Sequence, residues 1–167
     1  IFYLPLSSEK FRTVEKPVLI AAIEMISADF DNDGNLWVLG IDGLFFASNK
    51  SMKLKTILRA NEIGLNEPRS ISSCGNSVIL IADTDGIIRF NFDSNKISRI
   101  VKFSKKNLLR QIEVIKCSNR VVWASFLGGG VVNFSLSGKM IQEFSPKETI
   151  GGNFEAFIDL HFSPENV

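Results

Sequence analysis

One phrase recurs three times along this chain at almost constant spacing. An apolar stretch runs into a tight turn that closes on glycine. The copies are Leu36-Trp37-Val38-Leu39-Gly40-Ile41-Asp42-Gly43, Val78-Ile79-Leu80-Ile81-Ala82-Asp83-Thr84-Asp85-Gly86 and Val122-Trp123-Ala124-Ser125-Phe126-Leu127-Gly128-Gly129-Gly130. The closing glycines Gly43, Gly86 and Gly130 stand 43 and 44 residues apart, and the markers Trp37, Ile79 and Trp123 stand 42 and 44 apart. A period in the low forties, rich in β-formers, is the size of one β-propeller blade of four short strands. The expected fold is all-β: a propeller fragment of four-stranded antiparallel blades. Trp37, Ile79 and Trp123 are expected at equivalent, mostly buried places on the second strand of each blade.

Counting from the closing glycine extends the frame. Leu54, Ile97 and Ile141 fall eleven residues on, and Ile57, Ile100 and Phe144 fourteen on, with Lys53, Lys96 and Lys139 close by. Polar residues between these positions, such as Asp93-Ser94-Asn95 and Ser137-Gly138, are turn formers. The second strands are apolar on both faces, as when twisted sheets stack side by side. Helix signals are weak, and Ser104–Ile115 reads as a turn and a first strand. The organisation expected is one propeller domain: residues 1–17 as outer strands of a preceding blade, blades at 18–62, 63–106 and 107–149, and 150–167 opening a following blade. Ala156–Phe162 reads as that first strand. The chain begins inside an apolar run, Ile1–Leu4, and reads as a piece of something longer.

Of 167 residues, 45% are hydrophobic and 14 are Phe, which suits a packed β domain. Charge is balanced at 19 basic and 18 acidic side chains with no basic stripe, so neither nucleic acid nor direct membrane contact is expected. Cys74 and Cys117 are 43 residues apart and read as matching places in neighbouring blades. Two cysteines make no disulfide framework, so free, partly buried thiols are expected.

Motifs that hint at chemistry have plainer readings. Asp29-Phe30-Asp31-Asn32-Asp33-Gly34 has the spacing that opens a calcium loop. Its twelfth position is Gly40 in place of the bidentate Glu, and strands flank it, so a hairpin turn held by an Asx side chain is expected. Gly128-Gly129-Gly130 lacks the Lys and Ser/Thr of a phosphate loop and reads as a strand turn. His161, the single histidine, shares a strand face with Asp159 but reads as structural. One His and two separated Cys do not make a zinc site. No cofactor, metal or catalytic residue is expected.

The stretch Asp31–Leu44 resembles the two-component regulator propeller repeat, whose blades carry a motif like D-x-x-G-N-L-W-I-G-T-x-x-G-L. Asp31, Gly34, Asn35, Leu36, Trp37, Gly40, Gly43 and Leu44 match it. The third blade keeps Trp123, Gly129, Gly130 and Val131; the second keeps Gly75-Asn76 and Gly86-Ile87, with Ile79 in place of the Trp. Such repeats build the periplasmic sensor region of hybrid histidine kinase–response regulators, many of which sense oligosaccharides. The resemblance therefore implies a non-catalytic, ligand-sensing segment in the periplasmic portion of an inner-membrane protein, with a histidine kinase as parent. Its partners are expected to be a small-molecule or oligosaccharide ligand, other blades of the same protein and a second copy in a homodimer.

Family geometry puts the loops around Ile41–Asp42, Asp83–Asp85 and Phe126–Gly129 on one face, with the segments Asn61–Arg69 and Asn107–Arg110. Asp42, Asp83, Asp85, Arg69 and Arg110 are the candidate ligand contacts, because loops on a rigid scaffold carry binding chemistry. Two other functions fit a propeller: a lyase resembling the streptogramin-inactivating enzymes, which use histidines and a divalent metal, and a protein–protein scaffold.

Overall fold

A computed structural model describes residues 24–51, 53–103, 111–127 and 130–144, together with two short strands near the start of the chain. These are β1 (Phe2–Tyr3) and β2 (Arg12–Thr13), which pair antiparallel. Three four-stranded antiparallel sheets follow. The first is β3 (Met25–Phe30), β4 (Leu36–Gly40), β5 (Gly43–Ala47) and β6 (Lys55–Arg59). The second is β7 (Pro68–Ser73), β8 (Val78–Asp83), β9 (Gly86–Asn91) and β10 (Lys96–Lys102). The third is β11 (Ile112–Ser118), β12 (Val121–Phe126), β13 (Val131–Ser135) and β14 (Met140–Phe144). In each, spatial order follows chain order. These are successive blades of a β-propeller, and their sheets lie within residues 18–62, 63–106 and 107–149. The one helix among the described residues, α1 (Ala60–Ile63), is a single turn ending on Gly64 at φ 70°, which the sequence did not announce. The expected strand at Ala156–Phe162, with Asp159 and His161, lies outside the described residues, as do Gly128 and Gly129.

The blades pack face to face through their second and third strands. Trp37, Leu39, Leu44 and Leu58 of the first blade meet Ile71, Ile79, Ile81, Ile88 and Phe90 of the second. Leu80, Ala82, Ile87 and Val101 on the opposite face of the second meet Ile112, Val122, Ala124, Val132 and Phe134 of the third. Trp37 is fully buried, with Phe46, Phe92 and Phe90 ring centroids at 4.7, 5.2 and 6.5 Å.

This packing corrects the expected equivalence of Trp37, Ile79 and Trp123. All three lie on second strands, but Ile79 points back to the first blade, whereas Trp37 points forward to the second. The counterpart of Trp37 is Leu80. Both lie six residues before their closing glycine, and they oppose Asp29 and Ser72 at the same register of the first strand. Ile79 matches Leu36 and Val122. A one-residue slip exchanges the two faces of a strand, and Ile79 and Leu80 are both apolar, so hydrophobicity does not tell them apart. Trp123 does match Trp37, opposite Lys116, but it is only half-buried and stacks on Phe144 at 5.9 Å.

The closing glycines have a steric cause. Gly43 and Gly86 have φ of 145° and 141°. A Cβ on either would lie 2.1 Å from the backbone oxygen of Leu58 or Val101, on the fourth strand of the same blade. The carbonyl just before each glycine, of Asp42 or Asp85, accepts a hydrogen bond from the N–H of Ala60 or Phe103. Each turn is thus locked onto its own outer strand.

The first strands stand side by side, and side chains of one cap the backbone of the next. Ser27 Oγ accepts from the N–H of Ile71, and Asp29 Oδ2 accepts from the N–H of Ser73. One blade on, Ser70 Oγ accepts from Ile115 N–H and Ser72 Oγ from Cys117 N–H. Cys74 continues the same every-second-residue row and is bonded to Cys117 as a disulfide, with Cα atoms 5.3 Å apart. The expectation of two free thiols is therefore corrected. Between these blades the period is 44, so a spacing of 43 offsets Cys117 by one residue from the place matching Cys74. That offset brings the two side chains together. Lys116 Nζ also reaches Asp29 Oδ1 at 3.1 Å, from the third blade to the first.

Two measurements check this description. Trp37→Ala should cost about 3–5 kcal/mol in denaturant melts, whereas Trp123→Ala should cost distinctly less, because only the former empties a closed site. Thiol alkylation without reductant should leave Cys74 and Cys117 unlabelled, and replacing both by Ser should lower stability by about 2–4 kcal/mol.

Candidate functional site

The N-terminal ends of β3, β7 and β11 lie on the same face as the turns between second and third strands, at Ile41–Asp42, at Thr84–Asp85 and, in the third blade, next to Leu127. Backbone bonds tie these loops to the segments that lead into the first strands. Ile41 N–H donates to Glu24 O, Thr84 N–H to Asn66 O and Leu127 N–H to Gln111 O. Each loop is thus fixed to the start of its own blade's first strand; these strands stand side by side and Arg69 reaches Gln111 of the third blade, so the loops share one face.

The candidate contacts are placed differently from one another on it. Asp42 is exposed at its turn. Asp85 is partly exposed, and its N–H donates to Asp83 Oδ1. Asp83 itself is fully buried. Its two oxygens take a bidentate pair from Arg99, Nη1 to Oδ1 at 2.6 Å and Nη2 to Oδ2 at 2.8 Å, and Oδ2 also accepts from Asn66 N–H. Arg99 Nη2 donates further to Gly64 O. The cluster anchors the segment after α1 onto the second blade. The hydrogen bond from Arg99 to Asp83, opposed by burial and reinforced by the charges of Asp83 and Asp85, raises the guanidinium pKa above its ordinary value. With its folded pKa raised, Arg99 contributes stability that is lost only as pH climbs beyond the ordinary arginine range, so it stays charged at any working pH.

Asp31 has a comparable role at the opposite end of the first blade. It is buried at 6% exposure, and Oδ1 accepts from the N–H groups of Asp33 and Asn35. Oδ2 accepts from Asn35 Nδ2 and from the Trp37 indole Nε1. The stretch spaced like a calcium loop is a hairpin turn whose first carboxylate fastens the core tryptophan.

Arg69 leaves β7 at the loop face with about a third of its side chain exposed. Its Nη2 donates to Gln111 Oε1 at 3.2 Å on the third blade and lies 3.5 Å from Glu67. Its Nε is buried and has no hydrogen-bond acceptor among the described residues. Arg110 lies outside the described residues. Glu113, on the third blade at the register of Arg69, is a charged residue of this face that was not among the sequence candidates; the repeat alignment held that signal, since Ile26, Arg69 and Glu113 are equivalent. Among the described residues no group of His, Cys, Asp and Glu is arranged to hold a metal ion, and no helix is long and apolar enough to cross a membrane.

No protein-family model and no curated protein sequence matches the chain. Solved structures do. The nidogen/laminin complex aligns at TM-score 0.63 with 18% identity, over 85% of this chain and 56% of that one. The extracellular domain of the putative hybrid two component system BT3049 from B. thetaiotaomicron aligns at 0.55 with 14% identity, over 80% of this chain and 20% of that one. Virginiamycin B lyase from Staphylococcus aureus, catalytically inactive H270A form with quinupristin, aligns at 0.55 with 18% identity, over 72% and 41%. The chain spans about half or less of the length of each. At these identities the likeness shows the fold: this chain is built as part of a β-propeller, an architecture shared by enzymes and by proteins that are not.

The Asp83 cluster makes a sharp mechanical expectation. Asp83→Ala leaves Arg99 without its partner in a largely buried site and should lower stability by about 3–5 kcal/mol in thermal or denaturant melts. Asp85→Ala and Asp42→Ala, at more open positions, should leave the melts nearly unchanged.

Proposed function

We propose that the chain forms part of a ligand-sensing β-propeller, with no catalysis of its own, in the periplasmic portion of an inner-membrane hybrid two-component sensor, and that its ligand is an oligosaccharide. The observation that carries the reading is a division of labour among polar residues. Asp31 and Asp83 are consumed by the fold, while Asp42, Asp85 and Arg69 stand on one face made by three blades. Rigid strands presenting variable loop chemistry is how such scaffolds bind. The resemblance of Asp31–Leu44 to the two-component regulator repeat supports the sensor role, as does the fold shared with the extracellular domain of BT3049. Signalling would work by population shift: a ligand that binds one sensor arrangement better than another biases the equilibrium by that difference.

Calorimetry on the full-length protein with a panel of glycan oligosaccharides tests this. Binding to at least one is expected, weakened about tenfold by Asp42→Ala or Asp85→Ala, the cost of about one charged hydrogen bond. Silence across the panel, with turnover of a streptogramin or capture of a protein partner instead, would replace the sensor reading by the lyase or scaffold reading.

A further inference from the structure

All three first strands carry the same irregularity at the same place. Their pairing with the second strand skips one residue, between Met25 and Ser27, between Pro68 and Ser70, and between Ile112 and Val114. The skipped residues are Ile26, Arg69 and Glu113. A bulged residue has no partner in the ladder, and the bulge turns its side chain out of the regular alternation. Each bulge lies at the loop face.

The positions beside the bulge are constrained. Ser27 and Ser70 must accept the N–H of the next blade. The bulge position carries no such duty, and its chemistry changes in kind from blade to blade: apolar, cationic, anionic. Ile26 is 36% exposed, and Arg69 and Glu113 are partly exposed. Opposite charges thus stand at one register in adjacent blades, yet among the described residues no ion pair joins them. Arg69 is held toward the third blade by Gln111, has only the 3.5 Å contact to Glu67, and keeps an unmatched Nε. Nε is enclosed, so a ligand meets this guanidinium only through its outer nitrogens, and a carboxylate is the group that engages both of them by two parallel hydrogen bonds.

We infer that the bulge ring Ile26–Arg69–Glu113 sets the specificity of the loop face and that its ligand is an acidic saccharide, one bearing a uronic acid. This rests on the saccharide reading above and names its class. The uronate carboxylate pairs with Arg69, a ring hydroxyl donates to Glu113, and the apolar C–H face of the sugar covers Ile26. A neutral sugar leaves the guanidinium without an anion, which is the larger loss in a partly buried site.

The test is calorimetry on the full-length protein with three probes: uronate oligosaccharides built on galacturonate, mannuronate or glucuronate, neutral oligosaccharides of matching linkage, and tartrate as a hydroxy acid that is not a sugar. At least one uronate oligosaccharide should bind about tenfold or more tightly than its neutral counterpart. Arg69→Gln should abolish that preference, and Arg69→Lys should keep part of it. Thermal melts confirm that each variant folds. Neutral sugars binding as well as uronates, with no effect of Arg69→Gln, would overturn the acidic-ligand inference and leave the saccharide reading standing. Tartrate binding that depends on Arg69, with no saccharide bound, would overturn the saccharide reading and keep the anion role of Arg69. No binding of any probe would overturn both.

Discussion

A first strand in this architecture has one edge with no sheet partner, and its backbone N–H groups must be satisfied some other way. The protein meets this with side chains from the preceding blade. Ser27 and Asp29 cap Ile71 and Ser73; Ser70 and Ser72 cap Ile115 and Cys117. Unpaired buried backbone donors are costly, so each cap also holds one blade at a defined position against the next. The face-to-face packing of Trp37 against the second blade and of Leu80 against the third depends on that placement. So does the common loop face, because the same strands begin there.

The caps change character along the chain. At the registers of Ser27 and Asp29 the second blade has Ser70 and Ser72, but the third has Val114 and Lys116. Valine cannot accept a hydrogen bond and lysine only donates. Lys116 turns back to Asp29. Three blades of one repeat therefore share a backbone plan and differ in how their inner edges are chemically finished. The outward face of the third blade differs too, with Ser125 and Asn133 where the first has Leu39 and Phe46.

Much of the fold was legible because its strongest constraints are local. A closing glycine is required where any Cβ would strike the fourth strand, and the Asp31 turn is required to satisfy backbone groups and the indole of Trp37. Both leave a mark within a few residues. What depends on register was not legible. Ile79 and Cys117 were misplaced for one reason: each stands one residue short of the local period, 42 in place of 43 and 43 in place of 44. In a strand that single residue decides which blade is faced. Of the candidate site residues, Asp42 is exposed and Asp85 and Arg69 are partly exposed at the loop face. Asp83, in the same turn as Asp85, is buried under Arg99, and the sequence offered nothing to tell two aspartates two residues apart from each other. Glu113 stands out only through the repeat alignment, which sets it at the register of Arg69, because a bulge leaves no local signature.

The contact between Lys116 and Asp29 has a consequence for how the array comes apart. In a simple stack of repeats each unit touches only its neighbours, and stability is a sum of unit and nearest-neighbour terms. An ion pair from the third blade to the first adds a term that skips a unit. Loss of the middle blade then breaks contacts on both of its sides and also the link that passes over it. The pair couples the first and third blades directly, in addition to the contacts each makes with the second.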